Sequence, residues 1–419
     1  MSDLVPDGWA EHRQGDIADF SNGKAYKLTE WEKAGTPVIR LQNLTGSGKN
    51  YYYSNLKLPD RQYCEAEDLL YMWSATFGPH IWKGPKAIYH YHIWKVTCNE
   101  EDLIKSYLYQ LLGYKTAEWL NKSNGMGILH ITKGGMEELK LILPPLPEQQ
   151  KIAAILTSVD EVIEKTQAQI DKLKDLKIGM MQELLTKGIG HVEFKDSPVG
   201  RVPVGWDVKT IKDLNISVLD GDRGKEYPKE KDFFQHEHCL FLSAKNVTKK
   251  GFRFDVSMFI TEKKDSAMRK GKLQRGDIVI TTRGTLGNIA YFDTEIPFEH
   301  VRINSGMAII RNDNTVINTE FLNILLHSPV VNEQTELLAF GSAIPQLTIG
   351  LLNNLNIPVP SVEEQNKISA IINSVSHKII LMEPKLTLLK STKKALMQDL
   401  LTGKVRVDTE LSNSPLAVS

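Results

Sequence analysis

From Glu148 to Lys187 the apolar positions recur every seven residues, at Ile152, Val159, Leu173 and Met180, with Thr166 in the remaining slot. A second line runs beside the first through Leu156, Ile163, Ile170 and Leu184. Two adjacent heptad lines predict a helix that packs along another helix. Pro147 suits a first-turn position and Glu148 the positive end of the helix dipole. No proline or glycine falls between Glu148 and Ile178. At about 1.5 Å per residue, some forty residues make a rod about 60 Å long.

The same chain supplies a partner. A shift of 216 positions lands on Ile368, Val375, Met382, Leu389 and Leu396, and the second line returns as Ile372, Ile379, Leu386 and Leu400. The entrances match (Glu148-Gln149-Gln150-Lys151-Ile152 with Glu364-Gln365-Asn366-Lys367-Ile368), as do the exits Leu184-Leu185-Thr186 and Leu400-Leu401-Thr402. Val5-Pro6-Asp7-Gly8-Trp9 also returns, as Val202-Pro203-Val204-Gly205-Trp206. Two copies exclude a solenoid and indicate a duplicated module, each a globular segment followed by a long helix. The expected divisions are a globular segment 1–146, a helix 147–188, a globular segment 189–357, a helix 358–405 and a flexible polar tail 406–419.

Both globular segments read as mixed α and β, giving an α+β chain. In the first, Thr36–Leu41, Ala87–Val96 and Leu139–Leu143 have strand composition, and Asp102–Leu120 has a helical apolar face. In the second, strands are expected at Cys239–Ser243, Asp277–Thr282, Asn288–Phe292 and Gly306–Arg311, with a helix at Thr319–Leu326. Each segment leaves through prolines, Pro144-Pro145-Leu146-Pro147 and Pro358-Val359-Pro360.

Charge narrows the picture. Lysine plus arginine equals aspartate plus glutamate at 51 each, so any nucleic-acid binding must rest on local patches. The three cysteines, Cys64, Cys98 and Cys239, lie far apart, which argues for a reducing compartment and against structural zinc. The opening residues carry no signal-peptide core and no eighteen-residue apolar run occurs, so a cytoplasmic protein is expected.

No catalytic centre emerges. Gly46-Ser47-Gly48-Lys49-Asn50 lacks the first glycine and the hydroxyl of a phosphate loop. Pro59-Asp60 with Glu138-Leu139-Lys140 imitates a nuclease pattern too loosely to separate it from chance, and neither a dinucleotide fingerprint nor an Asn-Pro-Pro-aromatic tetrapeptide occurs. His80, His90 and His92 have no carboxylate or cysteine to complete a metal set, so no metal site is expected. Basic loops are more suggestive: Arg223 and Lys225, Lys245 and Asn246 in a stretch reaching Arg253, the run Arg269 to Arg275, and Arg283 beside Gly284. In the first segment Arg40 and Asn43 follow a strand, and Lys83 precedes Gly84-Pro85. Such side chains hold phosphates or read base edges.

Taken together, the paired starts, proline exits and helix ends resemble the specificity subunit of type I restriction–modification enzymes. Asp68 to Ser74 with Phe77-Gly78-Pro79, Gly276 to Val279 with Arg283 to Gly287, and Phe340 to Leu347 are similar to further motifs of that family. The resemblance implies two target recognition domains separated by two long helices paired as an antiparallel coiled coil. It implies double-stranded DNA as ligand, with one half of a split asymmetric sequence read by each domain. It also implies two modification and two restriction subunits as partners. S-adenosylmethionine, ATP and Mg2+ would then belong to those subunits, with no cofactor and no catalysis in this chain. Where the second segment has Thr282-Arg283-Gly284, the first has Trp73-Ser74-Ala75, so the two domains are expected to be of different recognition types. A protein-binding coiled-coil scaffold and a single-chain DNA enzyme remain the alternatives at this point.

Overall fold

The computed structural model describes residues 5–122, 132–339 and 346–408. The chain divides into two compact units, one holding residues up to Ala168 and from Pro384 onward, the other Gln169–Glu383.

The first unit contains β1 (Ala10–Arg13), β2 (Ala18–Asn22), β3 (Thr36–Ile39), β4 (Tyr52–Ser54), β5 (Tyr63–Cys64), β6 (Leu69–Ser74), β7 (Thr76–Ile81), β8 (Ala87–Tyr89), β9 (Ile93–Cys98) and β10 (Lys140–Leu143). One sheet has the order β2-β9-β6-β7, a second β4-β3-β8-β5, and β1 pairs with β10. The strand expected over Ala87–Val96 is in fact two. Ala87–Tyr89 lies parallel to β3 in one sheet, and Ile93–Cys98 lies between β2 and β6 in the other. His90 to His92 carry the chain across. Helix Lys105–Lys122 buries Tyr107, Leu111 and Leu112 in a core with Phe20, Tyr71 and Trp94.

The second unit contains β11 (Phe194–Lys195), β12 (Val202–Pro203), β13 (Asp207–Thr210), β14 (Ser217–Asp220), β15 (Cys239–Leu242), β16 (Val247–Thr248), β17 (Gly251–Phe252), β18 (Phe259–Ile260), β19 (Ile278–Thr281), β20 (Ile289–Tyr291), β21 (Val301–Ile303), β22 (Met307–Arg311) and β23 (Asn356–Val359). Its sheets repeat the plan of the first, with β14-β22-β19-β20 matching β2-β9-β6-β7 and β18-β15-β21 matching β4-β3-β8. The parallel pair recurs as β15 with β21. Even the register of the outer ribbon agrees, with Ala10 opposite Leu143 and Asp207 opposite Val359.

The central helix spans Leu146–Lys187 and the C-terminal helix Val362–Leu401. The latter starts later than the proline exit suggested, because Pro358 and Val359 still pair with Val208 and Asp207 in the ribbon. Within the first unit, Asp160 meets Lys393 at 2.6 Å and Glu148 meets Arg406 at 2.7 Å. Within the second, Lys174 meets Glu383 at 2.9 Å and Glu364 meets His191 at 2.9 Å. Rising numbers on one helix face falling numbers on the other, so in each unit the two helices run antiparallel.

None of the heptad positions is exposed. Ile152, Ile368 and Val375 are buried, and Val159, Leu173, Met180, Met382, Leu389 and Leu396 half-buried. The seam is more than a helix-pair core, however. Ile152 and Leu156 join Leu400 and Leu401 in the core of the first domain, and Ile368 and Ile372 join that of the second. Pro384 lies inside the C-terminal helix, where it forfeits one backbone hydrogen bond. The tail expectation also needs correction at its start, since Arg406 is anchored on Glu148. The remainder of that tail from 409, and the Phe340 to Pro345 part of the motif noted above, lie outside the described residues.

Candidate nucleic-acid interface

In the first unit, backbone hydrogen bonds lace four loops together at one end of the sheets. Lys24 N–H donates to the Tyr89 carbonyl at 3.0 Å, His90 N–H to Ile39 at 2.9 Å, and Trp73 N–H to His92 at 3.3 Å. Gly23 is required there, because a side chain would collide with the Tyr89 carbonyl oxygen. The second unit repeats the device: a side chain on Gly221 would collide with the Asn304 carbonyl oxygen, and Thr282 and Arg283 N–H both donate to Gly306. Glycine is thus fixed by close backbone approach at two matched positions.

What these ends display differs. In the first unit it is aromatic. Tyr26 stacks on Trp31 at 4.6 Å, Trp31 packs on Tyr52 at 4.6 Å, and the Arg40 guanidinium lies 4.1 Å from the Tyr52 ring centre. His90 and His92 continue the cluster, 5.1 Å apart, and Trp73 meets His92 edge-on at 5.4 Å. Burial, then His92 and Arg40, push the His90 pKa down to about 4, so its ring is neutral at pH 7. In the second unit the display is cationic. Arg223, Lys225, Lys245 and Arg283 are exposed, and Arg223 Nη2 donates to the Ser305 carbonyl at 3.3 Å. Asp222 shapes that loop by accepting from Gly224 N–H at 2.6 Å and Arg269 N–H at 2.7 Å. Burial acts to raise its pKa, and the backbone donors outweigh this and lower it.

Two candidate contacts are framework, and a third, Lys83, lies elsewhere on the surface. Asn246 is 2 % exposed; its Oδ1 accepts from Ser243 N–H at 2.8 Å and its amide donates to the Arg253 and Val256 carbonyls. Asn43 does the same in the first unit, accepting from Arg40 N–H and donating to Gly48 and Asn50. With amide and carbonyl committed, neither is free to read a base. Lys83 follows β7 at the opposite end from the β6–β7 turn, about 20 Å away at strand rise. There it pairs with Glu164 at 3.2 Å. Part of the basic run before β19 is also consumed internally: Lys272 pairs with buried Asp265, beside Arg302, and Arg275 donates to the Asp293, Ile296 and Phe298 carbonyls.

Arg40, Arg223, Lys225, Lys245 and Arg283 remain at the loop ends, Arg223 paired there with Asp220 at 3.1 Å. Missed from sequence were Tyr26, Trp31 and Tyr52 as a surface beside His90; their signal was an aromatic excess on either side of a short strand. The two domains also share one frame rather than two. Ser74 and Ala75 occupy the positions of Arg283 and Gly284, and both third residues are left-handed, Ala75 at φ 59° and Gly284 at φ 75°. Among the described residues no group of three histidine, cysteine or carboxylate side chains is placed to hold a metal.

Two domains on one strand plan, each with a loop-bearing end and its own antiparallel pair of helix segments, define a duplicated recognition module. The family described as type I restriction modification DNA specificity domain matches residues 6–175 and again 203–391, and the chain belongs to that family. It is similar to the type I restriction enzyme MjaVIII specificity subunit of Methanocaldococcus jannaschii, 28 % identical over 96 % of this chain and 94 % of that one. It is 25 % identical to the EcoBI specificity subunit of Escherichia coli over 87 % and 78 % of the two chains. In fold it resembles the S subunit of a type I restriction–modification system from M. genitalium, with a TM-score of 0.61, 16 % identity, and 96 % and 98 % of the chains covered.

Proposed function

We propose that this chain supplies the DNA address of a type I restriction–modification complex and performs no catalysis itself. Each recognition domain reads one half of a split, asymmetric duplex sequence. Adenine methylation and cleavage fall to two modification and two restriction subunits in the cytoplasm, which bind S-adenosylmethionine, ATP and Mg2+. The observation that carries this reading is the repeat of one strand plan with different loop chemistry, aromatic in one domain and cationic in the other. One frame used twice suits one task done twice, and unlike loops suit unlike half-sites. Arg223, Lys225, Lys245 and Arg283 act as phosphate or base contacts in the second domain, as Arg40 does in the first. No helix among the described residues is long and apolar enough to cross a membrane, which agrees with that setting.

The test is methylome sequencing of a host carrying this chain with its modification partner, and of the same host without the chain. N6-methyladenine at one split motif, lost with the chain, is the expected result. Replacing residues 205–357 by the corresponding domain of a relative should change one half of the motif only. An active partner with an unaltered methylation pattern would refute the reading.

A further inference from the structure

We infer that Arg40 is a base-reading residue of the first domain, engaging N7 and O6 of a guanine with its two terminal amino groups. The inference rests on the proposed function and narrows it to one residue and one base.

Backbone geometry fixes where Arg40 stands. It directly follows β3, its N–H donates to Asn43 Oδ1 at 2.9 Å, and the preceding Ile39 carbonyl accepts from His90 N–H at 2.9 Å. The side chain is held as well. The guanidinium lies 4.1 Å from the Tyr52 ring centre and 5.8 Å from that of Trp31, and Trp31 is itself packed against both Tyr26 and Tyr52. A planar cation laid on aromatic faces loses little further freedom when it forms paired hydrogen bonds.

Its donors are uncommitted. Lys24, the other cation against this ring cluster, has a carboxylate partner in Glu30. Among the described residues no hydrogen bond or ion pair engages the Arg40 guanidinium, and its Nε is buried without an acceptor. With Nε enclosed, the donors left to a ligand are the two terminal amino groups, whose end-on fork matches the N7 and O6 acceptors of guanine in the major groove. A phosphate contact requires no such immobilisation, and the exposed lysines and arginines of the second domain suit that task better. His90, beside the same ring cluster, is neutral and offers a hydrogen bond to an adjacent base without adding charge. The second domain has no equivalent, since Ser243 occupies the matching position.

Methylomes of Arg40→Ala, Arg40→Lys and Arg283→Ala complexes provide the test. Arg40→Ala should relax one G·C position in one half-site and leave the other half intact, whereas Arg40→Lys, which loses the planar fork but can still donate to N7 and O6, should relax it less. Arg283→Ala should leave that position unchanged. Full base preference at every position in both Arg40 variants would overturn the inference, whatever the level of methylation. Should the variants methylate too little to read, the purified complex can be titrated with duplexes carrying 7-deazaguanine at each guanine of the motif in turn. Binding by the unaltered complex should weaken about tenfold at one position, and the Arg40→Ala complex should be indifferent there. Equal sensitivity in both complexes, or none in the unaltered one, overturns the assignment. A wild-type chain that yields no split motif would instead strike the proposed function itself.

Discussion

Arg406 forks onto Glu148, with Nε donating to Oε1 at 2.7 Å and Nη2 to Oε2 at 2.7 Å. The Trp9 indole donates to the same carboxylate at 3.2 Å. The second unit builds the same node from Glu364, which accepts from Trp206 at 3.0 Å and lies 2.9 Å from His191 Nε2. In each case a glutamate in the first turn of a long helix gathers the tryptophan that opens the domain and a basic side chain from beyond the opposite helix. The helix dipole favours the carboxylate there, and the paired donors fix the entry of the chain.

Replacing Arg406 by methionine should therefore lower the unfolding free energy by about 1–2 kcal/mol, since a nearly buried carboxylate loses two charged hydrogen bonds. The half-exposed position of Arg406 keeps the loss at that level rather than higher. Urea titration of the full chain measures it; an unchanged midpoint would mean that water replaces the guanidinium without cost.

Asn43→Ala and Asn246→Ala should behave as stability variants. Each removes an amide that closes a loop through backbone hydrogen bonds, so a loss of about 1–3 kcal/mol is expected. The methylated motif should stay the same wherever the protein remains folded. A relaxed base preference with unaltered stability would return these asparagines to the DNA contacts.

His90 gives a pH dependence. Its folded pKa of about 4 lies below the ordinary 6.5, so between those values the unfolded chain binds a proton that the folded chain refuses. Stability from this group is complete above about pH 6.5 and is lost as pH falls toward about 4. Thermal unfolding of His90→Gln should fall less steeply across that window than that of the unaltered chain. Parallel curves would show that His90 does not titrate in this way.

Arg283→Ala removes an exposed cation from the β19–β20 turn. If Arg283 holds a phosphate, the logarithmic salt slope of duplex binding should shrink by about 1, with uniform weakening across sequences. If it reads a base, one position of one half-site relaxes instead. Salt titrations of the reconstituted complex with cognate and altered duplexes separate the two, and neither effect would remove Arg283 from the interface.

Core burial predicts a sharper contrast. Ile372 is 1 % exposed and packs with the second domain's core, whereas Ile380 on the same helix is 64 % exposed. Ile372→Ala should cost about 2–5 kcal/mol and Ile380→Ala less than about 0.5 kcal/mol. Similar losses at both sites would require Ile380 to be covered in solution.

Periodicity alone was enough to place both long helices, because a seven-residue repeat of apolar side chains has no other economical use. Helix Thr319–Leu326 was equally legible from its apolar face, and the strands near Thr36, Cys239 and Met307 from their β-branched and apolar runs. Repeated pentapeptides and helix ends disclosed the duplication. Sequence left open whatever depends on pairing between distant residues. The chain over Ala87–Val96 reads as one strand, since composition does not register that Tyr89 pairs with one sheet and Ile93 with another. Asn43 and Asn246 resemble base readers until tertiary structure brings backbone carbonyls against their amides, and Lys83 looks free until the helix pair presents Glu164. Arg40 is the converse. Its sequence neighbours say nothing of Trp31 and Tyr52, and only folding lays its guanidinium on their rings with its donors unspent.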